Sequence, residues 1–399
     1  MLKIAWRNML RNKRRSLLSI AIITIGVIVL FLVKGYISAT YEGLEMMAIS
    51  QNGHFQIASK GFWSNTGERS IISAADYIKI GEVLNGKEEV ENYTYQLEVS
   101  GIIGTEKGST IVSATGIEPG NDLSQGIQIE EGLNLFPGDE NMVLLGKGIM
   151  QKLQLEVDEW VSIMGTTMDG AYNAGSLQVS GAFTTGISDA DNYFALLPIS
   201  FAQSLLNTDG VDNFIVLLDE TENTDSLINI LKDEFNKAGL DVEMRDWKDL
   251  SIMYGQVKGL YDSIFFFISI VVFILVFFSI LEIMSMAFFE RMNEIGTVRA
   301  IGTLRRQIFL QLFEESLLIG IVGCVIGLLG AYLTANLLNY INISYVPPGF
   351  STAVTFYFNI LPENGIIPII VVLISTSISA MYPALKSARV NIVDMLRYT

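Results

Sequence analysis

Half of the 399 residues are hydrophobic, only 17% are charged, and mean hydropathy is +0.41. A soluble domain usually carries about 25% charged residues, so this balance excludes an ordinary soluble protein and points to a membrane protein. One cysteine, Cys324, and one histidine, His54, exclude a disulfide framework and leave no credible Cys/His metal site or Ser-His-Asp arrangement.

The first 15 residues are basic. Lys3, Arg7, Arg11 and Arg14 recur at i, i+4, i+8 and i+11, while Leu2, Trp6, Met9 and Leu10 take another face. That spacing predicts an interfacial amphipathic helix over 1–15 lying on an anionic membrane surface; a plain topology signal is the alternative. No charge interrupts Ser16–Val33, and a first transmembrane helix is expected over 16–37. The run is longer than a signal-peptide core and lacks a small-residue cleavage site after it, which favours an uncleaved anchor. Lys34, just beyond, reads as a snorkelling side chain.

Residues 38–258 hold 34 Asp+Glu and 12 Lys+Arg, a balance of −22 against −16 for the whole chain. This acidic region argues against nucleic acid as a partner. Its start reads strand–helix–strand, with "HFQIAS" (54–59), "AADYIKIGEVLNG" (74–86) and "ENYTYQLEVSGI" (91–102). Its end repeats that order with "DNFIVLLD" (212–219), a helix over 225–239 striped by Leu227, Ile230, Leu231 and Phe235, and "LDVEMRDW" (240–247). The two ends are expected to pair into one α+β subdomain. The glycine-rich middle, about 105–195, reads as an inserted β subdomain.

A second transmembrane helix is expected over 260–289, a third over 305–340 and a fourth over 365–385, with an uncharged loop at 341–364 and a tail at 386–399. Lys and Arg cluster before the first span, between the second and third, and after the fourth, where Lys386, Arg389 and Arg397 lie. The positive-inside rule then places both termini and residues 290–306 in the cytoplasm and 38–258 outside. In the third span, Gly323 and Gly327 form G-x-x-x-G, which predicts close helix packing, within the chain or between two chains. Glu282, Glu314 and Glu315 are expected at the inner interface or paired with inner arginines rather than in a proton relay.

Between the second and third spans stands "ERMNEIGTVRAIGTLRRQI" (290–308). Ile295, Val298 and Ile301 form an apolar stripe at helical spacing. Glu290 and Glu294 share another face. Gly296 permits close approach of another backbone. Gly302 suits a left-handed helix stop, and Thr303 can cap the next helix. A short amphipathic helix at the inner membrane surface follows.

Sites of bond-making chemistry are lacking. "LLGKGI" (144–149) misses the spacing and hydroxyl of a phosphate loop, and "DGAYNAGS" (169–176) lacks EF-hand spacing. His54 reads as a strand or turn residue.

The 290–308 stretch resembles the signature loop of the FtsX-like/MacB-type permeases of ABC transporters. "LKIAWRNMLRNKRRSLLSIAIITIGV" resembles that family's start, and "MYPALKSARVNIVDMLR" (381–397) its last span and tail. "NGHFQIASKGF" (52–62) and "VSGAFTTGISDADNYFALLPISFAQSLL" (179–206) resemble the lipoprotein-releasing LolC/LolE-like branch. The resemblance implies an α-helical membrane protein with four transmembrane helices. A large extracytoplasmic α+β domain, a porter-like subdomain plus an inserted β-rich one, would lie between the first two. It implies a dimer with a second permease, identical or paralogous, and two copies of a cytoplasmic ABC ATPase. ATP and Mg would be bound there, with no cofactor or metal on this chain and no enzyme activity of its own. Glu290, Glu294, Ile295, Gly296, Arg299, Ala300 and Gly302 would couple to that ATPase, Glu294 and Arg299 as charged contacts and the glycines as close-approach points. ATP-driven closure would pass through spans one and two to the outer domain. The substrate would be a lipoprotein or another amphiphile. Efflux through a periplasmic adaptor and activation of a cell-wall hydrolase are the competing outcomes.

Overall fold

The structure, a computed structural model, describes residues 13–64, 69–121, 126–346, 349–350, 353–391 and 395. Lys3, Arg7 and Arg11 of the expected interfacial helix lie outside the described residues; Arg14 is exposed on the first long helix. The chain forms two compact units: one holds residues up to Glu42, Gln256–Ser344 and those from Thr355 on, the other Gly43–Gly255 with Tyr345–Val354.

In chain order the elements begin with helix α1 (Lys13–Asn52), strand β1 (Phe55–Ser59), α2 (Ala74–Asn85), β2 (Val90–Thr105), β3 (Gly108–Ile117), β4 (Gln128–Gly132) and β5 (Met142–Gly146). There follow α3 (Lys147–Leu153), β6 (Trp160–Thr166), β7 (Tyr172–Thr184), α4 (Ser188–Asp191), β8 (Phe194–Pro198), α5 (Ile199–Leu206) and β9 (Asn213–Leu218). The order closes with α6 (Thr224–Lys237), β10 (Val242–Asp246), α7 (Trp247–Leu250), α8 (Ile252–Glu290), α9 (Met292–Ala300), α10 (Arg305–Ile341) and α11 (Ile366–Arg389).

The acidic unit contains two sheets' worth of structure built on one long strand. β10, β1, β9 and the first half of β2 pair antiparallel in that spatial order. With α2 and α6 as the connecting helices, this is the split β-α-β arrangement. Both helices bury one apolar stripe: Ile80 and Leu84 of α2, and Leu227, Leu231 and Phe235 of α6, pack with Phe55, Ile57, Phe214 and Val216. Ser73 caps α2 by accepting from the Asp76 amide, the local signal that starts the helix there.

The second half of β2 leaves that sheet and pairs with β3 and β6. β3 pairs with β8, β8 with β5, β5 with β7, and β7 with β6, so six strands close on themselves as a barrel. Closure removes the exposed edges that an open insertion of this size would present. The barrel interior is filled by alternating residues, among them Val99, Ile103, Val112, Val143, Ile163 and Val179, and Ala202, Leu205 and Leu206 of α5 join the same core.

His54 lies just before β1 and is buried, accepting from the Leu218 amide at Nδ1 (3.0 Å) with Nε2 3.1 Å from the Thr221 hydroxyl. It is a structural residue of the split sheet.

In the other unit, four helices are long and apolar enough to cross a membrane. α1 and α8 have 40 and 39 residues, about 60 Å each at about 1.5 Å per residue, roughly twice a hydrocarbon core. α1 therefore runs well past the expected end of the first span at 37, because Ser38–Asn52 contains no proline and only one glycine to stop it. The bundle core joins Ile23, Val27 and Leu30 of α1 to Val272, Val276, Ile280 and Met284 of α8, Ile319 and Cys324 of α10, and Val372 of α11. Cys324 is a buried packing residue.

Gly323 and Gly327 face α1. A Cβ at Gly323 would come 2.5 Å from Ile23 Cγ2, and one at Gly327 would come 2.7 Å from Val27 Cβ. The Thr24 hydroxyl also donates to the Gly323 carbonyl at 3.3 Å. The G-x-x-x-G face is thus filled by this chain's own first helix, which leaves it no surface for the alternative packing between two permeases.

Candidate functional site: a short helix between two long ones

α9 has nine residues and sits between α8 and α10. Its stop is a complete Schellman arrangement: the Thr303 amide donates to the Val298 carbonyl (3.3 Å) and the Gly302 amide to the Arg299 carbonyl (3.0 Å). Gly302 takes φ +109°, a conformation that side chains resist. Thr303 is not the cap of the following helix. Leu304, extended at φ −69° and ψ 145°, holds that position, and its amide donates to Gln307 Oε1 at 3.0 Å. The extra residue lets the chain turn before α10 begins.

The inward face of α9 is Met292, Ile295, Gly296 and Arg299, an i, i+3, i+4, i+7 set. Met292 packs with Phe288, Val390 and Met395, and Ile295 reaches both that cluster and Ile308, Leu312 and Ala384. Arg299 is only 7% exposed. Its Nη1 donates to the Val390 carbonyl at 2.5 Å and lies 3.8 Å from Met395 Sδ. Val390 is the C-cap of α11, so the guanidinium meets a carbonyl at the helix end, near the negative end of that helix's dipole.

This corrects one expectation: Arg299 does not face outward as a charged contact. Gly296 is likewise buried on the inward face. The physical reason is that a buried cation finds its compensation at the end of α11.

The residue just before α9, Arg291, is also buried, and its Nη1 donates to both Glu315 oxygens at 3.3 and 3.2 Å. Glu315 is 6% exposed in α10, so the acidic residue expected at the inner end of the third span is paired with an arginine. Glu290 ends α8, half exposed, in an ion pair with Arg15 of α1.

What α9 turns outward is Asn293, Glu294, Thr297, Val298 and Ala300, continued by Ile301 and Leu304. Val298 is 48% exposed, Ile301 83% and Leu304 65%, an unusual display of aliphatic surface on so short an element. A cleft of about 120 Å³ beside it lies between α9 and α10, with Arg291, Glu294 and Ile295 on one wall and Ile308 and Leu312 on the other. Of the residues singled out in the sequence, Glu294, Ala300 and Gly302 are on this outer surface, while Ile295, Gly296 and Arg299 hold it from behind. Ile295, Val298 and Ile301, one apolar stripe by spacing, divide here: Ile295 is half-buried while Val298 and Ile301 are exposed. The signal that would have separated them is the better i, i+3, i+4, i+7 fit of Met292, Ile295, Gly296 and Arg299.

The barrel presents a second surface. Ile111, Ile102 and Met164 are directly paired neighbours across β3, β2 and β6, all on the exterior and 67%, 43% and 43% exposed. Trp160, 59% exposed, borders the same groove with Ser162 and Ser176. Among the described residues, no group of three or more His, Cys, Asp or Glu side chains could hold a metal ion.

Residues 16–234 match the MacB-like periplasmic core domain, and residues 266–392 match the FtsX-like permease C-terminal family. The lipoprotein-releasing system transmembrane protein LolC of Xylella fastidiosa is 23% identical, over 98% of this chain and 97% of its own length. The corresponding protein LolE of Haemophilus influenzae is 24% identical over 67% of each chain. Among solved structures, the periplasmic region of MacB from Actinobacillus actinomycetemcomitans is similar at 15% identity, covering 50% of this chain and 92% of that one, with a TM-score of 0.38. With the core-domain match spanning more than half of it and the permease match following, this chain belongs to the FtsX-like ABC transporter permeases that carry a MacB-like periplasmic core domain.

Proposed function

We propose that this permease converts ATP binding and hydrolysis on a separate cytoplasmic ATPase into movement of its extracytoplasmic domain, and that it releases lipoproteins or similar amphiphiles from the outer leaflet of the cytoplasmic membrane. The observation that carries the first part is the outward face of α9. Glu294, Val298, Ile301 and Leu304 offer an aliphatic ridge with one carboxylate, held rigidly from behind by Arg291 and Arg299. Such a ridge needs a groove to cover it. Two ATPase copies, loaded with ATP and Mg, would each receive one permease's α9, and the second permease would be identical or paralogous. The basic residues Lys13, Arg14 and Lys386 support an inner-surface location for this end of the bundle, with both termini in the cytoplasm.

The end-to-end similarity to LolC supports the lipoprotein reading. The apolar row Ile111–Ile102–Met164 on the barrel exterior supports an amphiphilic cargo handled outside, with no need of a polar pore. The MacB-like core favours, as the second reading, efflux with a periplasmic adaptor.

The test is to purify the chain in complex with its cytoplasmic ATPase and identify co-purifying material by mass spectrometry. Acylated lipoproteins, and ATPase activity that rises on adding them, are the expected result. Stimulation only by an adaptor-bound drug or peptide would replace lipoprotein release with efflux. Stimulation only by a wall hydrolase would overturn the transport reading.

A further inference from the structure

Two arginines bracket α9, and neither points outward. Arg291 spends its Nη1 on both oxygens of Glu315 in α10. Arg299, two turns further on, spends its Nη1 on the Val390 carbonyl that closes α11. Both residues are buried, 8% and 7% exposed. A guanidinium on a short surface helix ordinarily extends into solvent or the headgroup layer, because burial forfeits its hydration. Here each is drawn inward to a different helix, at opposite ends of α9. Between them Ile295 packs on residues of α8, α10 and α11 together.

We propose that Arg291 and Arg299 are positioning residues that fasten α9 to α10 and to the end of α11, so that displacement of α9 carries the last two apolar helices with it as one body. The inference rests on the reading of α9 as the ATPase-docking element. It shifts the route of transmission away from the first two spans alone: the pull on α9 reaches α10 through a buried ion pair and α11 through its last carbonyl.

The experiment uses the permease in complex with its ATPase in lipid nanodiscs. With Cys324→Ala removing the one native thiol, Thr297→Cys on the exposed side of α9 and Tyr382→Cys on the exposed side of α11 carry spin labels, in complexes with one labelled chain each. Pulsed dipolar spectroscopy then compares nucleotide-free and ATP-vanadate states. One Thr297–Tyr382 distance, the same in both states, is expected. Arg299→Gln should broaden it and make it depend on nucleotide, while Arg299→Lys, which keeps a donor for the Val390 carbonyl, should restore the single distance. A merely structural role would lower yield or thermal stability without creating nucleotide dependence.

A distance that changes with ATP in the chain with native arginines overturns the proposal, whatever the variants do. So does a nucleotide-independent distance in a folded Arg299→Gln complex. Failure of the ATPase to co-purify with the native chain would instead overturn the docking reading beneath it.

Discussion

Gly327 of α10 stands so close to Val27 of α1 that a Cβ on the glycine would lie 2.7 Å from the valine's Cβ. Gly323, one turn earlier, has the same relation to Ile23. Helices in a bilayer gain no hydrophobic drive from meeting each other, so this contact depends on backbone approach and dispersion. Gly327→Leu cannot be accommodated without separating the two helices. Overpacking in a close-packed core costs about 1–3 kcal/mol, and a branched side chain against a β-branched neighbour should sit at the upper end. A lower thermal midpoint in nanodiscs is expected, while Gly330→Ala, which meets only the flexible end of Ile28, should change little.

Ile301 is the most exposed residue of the α9 ridge, at 83%. Substitutions at such positions usually alter stability by less than about 0.5 kcal/mol. Ile301→Asp should therefore leave insertion and melting unchanged while reducing ATPase co-purification by at least about tenfold, the effect of losing about 1.4 kcal/mol at an interface. Glu294→Arg should act in the same direction. Gly296→Trp is a poor test of docking because Gly296 is buried behind the ridge, and loss of folding would follow first. Pull-down of the ATPase, scored beside a melting curve, separates these cases.

The same helix shows what a linear reading can and cannot see. The four apolar spans, the acidic outer domain and both β-α-β ends were legible, because each rests on local composition or periodicity. The barrel was legible only as β-rich sequence. Its closure depends on the second half of β2 leaving one sheet for another, a change of partner along a single strand that alternation does not reveal. The outward role of Arg299 came from the family resemblance alone, and nothing in the local pattern contradicted it. Arg299 goes inside because the Val390 carbonyl at the end of α11, about ninety residues later, accepts from it there. Long-range compensation of this kind has no signature in the neighbouring residues. The apolar stripe of Val298 and Ile301 was legible, but not the way it faces, which the burial of Arg299 decides.

Glu315 pairs with Arg291 where neither is open to water. Removing one member leaves the other charge buried and uncompensated, which costs about 3–5 kcal/mol, whereas replacing both with apolar groups of similar volume is often neutral. Glu315→Ala should thus be severely destabilised, and the double variant Arg291→Met with Glu315→Leu should recover most of the loss. A double-mutant cycle from thermal unfolding checks this. Additive single and double effects would mean that the pair contributes nothing as a pair.

His54 gives the outer domain a dependence on acidity. Burial, which penalises the charged ring, holds its imidazole below the ordinary value of 6.5. The neutral ring also accepts from the Leu218 amide at Nδ1, a bond that protonation there would destroy. The sign follows from which state binds more protons. Well above 6.5 the ring is neutral both folded and unfolded, and its contribution to stability is complete. As pH falls below that value, the unfolded chain takes up a proton that the folded one refuses, so stability declines until the folded value is passed. Hydrogen exchange across β9, whose Leu218 amide is the direct reporter, should accelerate between pH 7.5 and about 5.5 once corrected for the intrinsic rate. A His54→Gln variant, whose side-chain oxygen can accept without titrating, should lose that acceleration. Equal pH dependence in both proteins would assign the effect to the domain's many carboxylates instead of to His54.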